Sequence, residues 1–141
     1  MKVVVAKVDD FAPNTRRIVN VGGREIGVFR LGDRFFGIRN RCPHQGGPLC
    51  EGRTTPLVVS DVPGRIELGS TMLVMCPWHG WHYDLETGEA YAPGDPRVKS
   101  YAVSVERGRD VVGAEDGGAG PRLLAETFAV EIEDDYVVLE A

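Results

Sequence analysis

Cys42-Pro43-His44-Gln45-Gly46-Gly47 and Cys76-Pro77-Trp78-His79-Gly80-Trp81 decide how this chain reads. Each stretch offers one thiolate and one imidazole. Each sets proline directly after cysteine and places glycine directly or shortly after histidine. Two cysteines and two histidines in matched loops suit a metal centre better than a hydrophobic core. Thiolates favour soft or borderline metals, and imidazole suits iron, zinc and copper. The set fits a mixed-ligand iron–sulfur centre, in which a cysteine pair holds one iron and a histidine pair the other. It also fits structural zinc, for which Cys₂His₂ is a common ligand set. The flanking Gly46, Gly47 and Gly80 favour the cluster, because they let backbone N–H groups approach the sulfurs and tune the potential.

Read onward through Pro48-Leu49 and through His82-Tyr83-Asp84-Leu85, the two loops resemble the signature of the Rieske [2Fe–2S] family. They are similar to its ferredoxin and ring-hydroxylating-oxygenase branch. The resemblance implies an all-β fold, an antiparallel β-sandwich with a small cluster-binding subdomain at about residues 40–92 of a single 1–141 domain. It implies one [2Fe–2S] cluster per chain, with Cys42 and Cys76 on the inner iron and His44 and His79 on the outer, solvent-facing one. It implies that Tyr83 can donate its hydroxyl to a cysteine sulfur. Pro93-Gly94-Asp95-Pro96 loosely resembles the proline-bearing loop that covers the family's cluster. The high-potential branch has a serine where Trp81 stands and a disulfide between its loops. This chain has no thiol pair there, and with Trp81 in place of the serine one sulfur-directed hydrogen bond is missing, which implies a low potential for a Rieske centre. Positions 45–75, 31 residues, separate His44 from Cys76, more than the family's usual spacing, and an inserted hairpin is expected there.

At 141 residues the chain fits one domain able to bury a core. The net charge of −5 is unevenly spread: residues 1–65 hold eleven Lys/Arg against six Asp/Glu, and residues 66–141 hold five against fifteen. The acidic half disfavours a nucleic-acid partner. No apolar run is long enough for a membrane span, and Met1–Val5 is too short for a signal core, so a cytoplasmic protein is expected. If Cys42 and Cys76 bind metal, Cys50 has no partner, which agrees with a reducing compartment. Cys50 and His82 are expected to be packing and surface residues and not ligands. Trp78 and Trp81 read as packing that keeps water from the sulfurs.

Alternating and β-branched runs place strands at 3–8, 17–21, 24–30, 35–39, 71–75, 81–84, 89–92, 99–106, 128–133 and 136–139. Gly22-Gly23 and Gly32-Asp33 are turn signals. Pro63-Gly64 turns the hairpin expected within 51–70. Gly113 to Pro121 reads as a surface loop.

Three histidines bound the activity. With His44 and His79 on the cluster, only His82 remains, and a mononuclear 2-His-1-carboxylate iron site cannot be assembled from this chain. The expectation is a redox carrier component of an oxygenase system, passing single electrons from a reductase to a terminal oxygenase or another redox enzyme. The alternatives are an accessory redox subunit, such as a nitrite reductase small subunit, and a non-redox zinc module.

Overall fold

The computed structural model describes residues 2–59, 62–64, 67–113 and 130–141. Nine strands appear among them: β1 Lys2–Lys7, β2 Thr15–Val21, β3 Arg24–Leu31, β4 Arg34–Arg39, β5 Thr54–Val59, β6 Glu67–Met75, β7 His82–Asp84, β8 Ser100–Arg107 and β9 Asp135–Glu140. One short α-helix, α1, covers Gly108–Gly113, and single 3-10 turns cover Val8–Asp10 and Leu49–Glu51. The strands form a six-stranded sheet, ordered β1-β9-β8-β4-β3-β2, and a three-stranded sheet, ordered β5-β6-β7. The all-β, antiparallel expectation holds.

Local chemistry explains the turns. Gly22 and Gly23 both adopt positive φ, 59° and 82°. That is the backbone a two-residue hairpin turn with the right twist demands, so β2 and β3 pair directly. β5 and β6 pair in register from Thr54↔Val74 to Val59↔Glu67, with a shift between Pro56 and Val58. The expected hairpin at Pro63-Gly64 is therefore present, and Gly64 turns at φ 85°.

Contacts divide the chain into two compact units. The first comprises Met1–Val19, Val28–Gly37 and Tyr101–Ala141. Its core is built by β9, whose Tyr136–Leu139 run is wholly buried, as a continuous apolar strand should be. Val4 of β1 and Val111 of α1 pack with Tyr136 and Val138. The second unit comprises Asn20–Gly27 and Ile38–Ser100. Ile26, Ile38, Leu49, Val74, Tyr83 and Leu85 are buried within it.

Three expectations change. The strand expected at 89–92 reduces to one isolated bridge, Tyr83↔Ala90, because the bends at 91–95 around Pro93-Gly94 carry the chain off. Of the strand expected at 128–133, residues 128 and 129 lie outside the described residues, and 131–134 make a turn closed by Asp134 N–H on Glu131 O at 3.2 Å. The reason is the start of α1, whose first N–H groups lack partners within the helix. Gly108 N–H donates to Asp134 O at 2.7 Å and Arg109 N–H to Ile132 O at 3.2 Å, so this segment serves the helix and not a ladder. Of the loop expected at 113–121, Gly113 closes α1 and 114–121 lie outside the described residues.

Candidate metal centre

Loop 1, Cys42–Gly47, follows β4; loop 2, Cys76–Trp81, joins β6 to β7. The two have the same hydrogen-bonded backbone. Cys42 N–H donates to Gly47 O at 2.8 Å, and Cys76 N–H donates to Trp81 O at 2.7 Å. Gly46 N–H returns to Cys42 O at 2.7 Å, and Gly80 N–H to Cys76 O at 2.9 Å. Gly46 and Gly80 end the turn at φ 78° and 76°, a left-handed conformation that glycine adopts without steric cost. Proline after each cysteine fixes φ where the turn begins and lacks only an N–H the turn does not use. The repeated unit is thus Cys-Pro-x-x-Gly, with histidine third in loop 1 and fourth in loop 2. That one-position offset sends the two imidazoles out from different points of an otherwise common backbone.

Sulfurs and imidazoles separate by depth. Cys42 and Cys76 are 2% and 1% exposed, and the Cys42 thiol is near enough to help push the Cys76 thiol up. His44 and His79 are exposed, with ring centroids 5.2 Å apart and planes at 83°. Among the described residues no three His, Cys, Asp or Glu side chains converge on a single metal position.

The sulfurs sit in a dry, donor-rich environment. Burial pushes the Cys76 thiol up, while backbone N–H groups of Trp78 and His79 draw it back down. Tyr83 is fully buried, and its hydroxyl lies 3.4 Å from Cys42 Sγ. Burial first, and then the hydrogen bond to Cys42, hold the Tyr83 phenol well above its usual range. Cys50 is apart from this group: its buried Sγ donates to Ile38 O at 3.4 Å. His82 instead faces Tyr91 at 6.3 Å between ring centroids. The Pro93–Pro96 segment reaches the site through Asp95, which with His79, Trp81, His82 and Tyr91 lines a shallow cavity of about 260 Å³.

The sequence profile of the Rieske [2Fe-2S] domain family matches residues 1–102. The chain belongs to that family. The alkene monooxygenase system ferredoxin component of Xanthobacter autotrophicus is 29% identical over 113 residues, covering 80% of this chain and 81% of that protein. The ferredoxin of carbazole 1,9a-dioxygenase from Nocardioides aromaticivorans superposes with a TM-score of 0.56 at 28% identity, covering 75% of this chain and 90% of that one. A solved structure from Mycobacterium tuberculosis, described as a small subunit of NADH-dependent nitrite reductase, superposes with a TM-score of 0.61 at 16% identity, covering 100% of this chain and 96% of that one.

The residues of this Rieske chain fit a [2Fe–2S] cluster. The donors it offers are two buried soft sulfurs and, at the surface, two imidazoles side by side. Gly47 lets the two loops close on each other here: a Cβ there would stand 2.8 Å from the Trp78 ring and 3.1 Å from Cys76 Sγ. Two contributions escaped the sequence. Trp81 of loop 2 stacks on His44 of loop 1, centroids 4.3 Å apart and planes at 25°. Asn40 pins the entry to loop 1, accepting from Cys50 N–H at 2.8 Å and donating to Glu25 Oε1 at 2.9 Å. Its only signal in the sequence is an amide two residues before Cys42.

Proposed function

We propose that this Rieske chain is a one-electron carrier, the ferredoxin-type component of an oxygenase system. Cys42 and Cys76 are proposed as ligands of the inner iron, and His44 and His79 as ligands of the outer iron. The observation that carries the reading is the pairing by depth: buried sulfurs together, exposed imidazoles together. When bound, the cluster supplies a site that takes up and gives back a single electron. The chain contributes the rest. Trp78 and His79 N–H groups and the Tyr83 hydroxyl stabilise negative charge at the sulfurs. Buried Leu49, Val74 and Leu85 belong to the same unit. The two exposed imidazoles give the electron a short exit to a docked partner.

The partners this assigns are an electron-donating reductase and a terminal oxygenase, by likeness to relatives that bear ferredoxin names. The acidic half, residues 66–141, disfavours a nucleic-acid partner. Among the described residues no helix is long and apolar enough to cross a membrane. Cys50, which forms no disulfide and donates to Ile38 O, supports a reducing, cytoplasmic location.

Reconstitution tests the reading. The purified protein should be red-brown, should be reduced by a ferredoxin reductase, and should then reoxidise against an added terminal oxygenase while eluting alone on gel filtration. Co-elution as a fixed subunit of another redox enzyme would replace the carrier with the accessory-subunit reading. A colourless zinc protein would end both.

A further inference from the structure

Both indoles of loop 2 reach across to loop 1. Trp81 lies flat on the His44 ring at 4.3 Å. Trp78 covers Gly47 so closely that a Cβ there would stand 2.8 Å from its ring. Trp78 is nonetheless 55% exposed, so burying its own surface does not explain its place. His44 in turn meets His79 edge-on at 5.2 Å, so one flat contact orients two rings.

We propose that Trp81 and Trp78 are positioning residues that clasp loop 1 from loop 2. Trp81 sets the plane of the His44 imidazole, and Trp78 seats the Gly47 end of loop 1 beside Cys76. This rests on the ligand assignment above. An exposed imidazole bound to iron through one nitrogen can rotate about that bond. Metal-bound imidazoles are generally held by a hydrogen bond to the other nitrogen. Here a stacked indole face performs that service, and aromatic pairs are worth more than their buried area alone. The clasp also joins the two loops without a disulfide, since none forms among Cys42, Cys50 and Cys76.

The test compares cluster-loaded wild type, Trp81→Phe, Trp81→Leu and, as control, His82→Ala. Two quantities are read: the rate at which visible absorption is lost to a chelator, and the electron paramagnetic resonance g-values of the reduced protein. Phenylalanine keeps a flat face; leucine fills much of the space without one. Trp81→Leu should lose its cluster about 10- to 100-fold faster, the range for removing a group that orients a metal ligand, with shifted g-values. Trp81→Phe and His82→Ala should stay near wild type. Should Trp81→Leu not fold, as judged by circular dichroism, Trp78→Ala carries the test, because it removes a half-exposed ring. It should release the cluster faster with g-values close to wild type. Wild-type behaviour in Trp81→Leu, or Trp81→Phe behaving like Trp81→Leu, overturns the stacking role. An unchanged release rate in Trp78→Ala overturns the seat on Gly47. If the wild type itself shows no Rieske-type spectrum, the ligand assignment fails first and takes the clasp with it.

Discussion

The Tyr83 hydroxyl lies 3.4 Å from Cys42 Sγ, and both side chains are buried. A hydroxyl donated to sulfur stabilises the more negative state of the centre. Tyr83→Phe should therefore keep the cluster and lower its reduction potential. A hydrogen bond of this kind contributes on the order of 1 kcal/mol, and about 59 mV corresponds to each factor of ten in a one-electron equilibrium. The shift should be of that order. Redox titration of both proteins checks it; equal potentials would remove the hydroxyl from the set of sulfur donors.

The same phenol makes stability fall at high pH. Its folded pKa is raised by burial and by the hydrogen bond to Cys42, whereas an unfolded tyrosine releases its proton near pH 10. Above about pH 10 the unfolded state thus binds fewer protons than the folded one, and stability declines as pH rises. Below about pH 10 the stabilisation is fully present. Urea midpoints of wild type should drop through this alkaline range, and those of Tyr83→Phe should drop less.

Substitution by alanine separates ligands from bystanders. Cys42→Ala, His44→Ala, Cys76→Ala and His79→Ala should each abolish the visible spectrum. Cys50→Ser and His82→Ala should retain it. The Cys50 thiol donates to Ile38 O, and a serine hydroxyl can do the same, so the change in stability should stay within about 1–2 kcal/mol. Loss of the spectrum in Cys50→Ser would show that the ligands are assigned wrongly.

The β5–β6 hairpin projects an exposed cross-strand pair, Val58 and Leu68, 53% and 71% exposed. Replacing 58–68 by a two-residue Asn-Gly turn should leave the cluster spectrum intact, because loop length costs little closure entropy. Slower electron transfer with an unchanged spectrum would assign the hairpin to partner docking. Cluster loss would mean that the tip supports loop 2.

The sequence carried most of this architecture because its signals are local. Gly22-Gly23 and Pro63-Gly64 dictate turns through φ alone, and the buried run Tyr136–Leu139 marks a strand without reference to anything distant. The strand expected near residue 130 gives way to a turn at 131–134, because Gly108 and Arg109 need the acceptors that this segment supplies. At the metal centre, Cys42, His44, Cys76 and His79 could be singled out by type and spacing. Which faces touch could not: the Trp81–His44 stack joins residues 37 positions apart (81 − 44), and nothing along the chain records a plane.

β5 lies at one border of the three-stranded sheet, with Pro56 in its middle and a register shift directly after it. A proline there offers no N–H to an arriving strand, and the irregularity twists what is left of the ladder out of line. The border therefore resists being extended by a neighbouring molecule. For a carrier that works by brief encounters this is useful: the crowded solution it diffuses through is full of other strands, and this border offers them a broken ladder to zip onto.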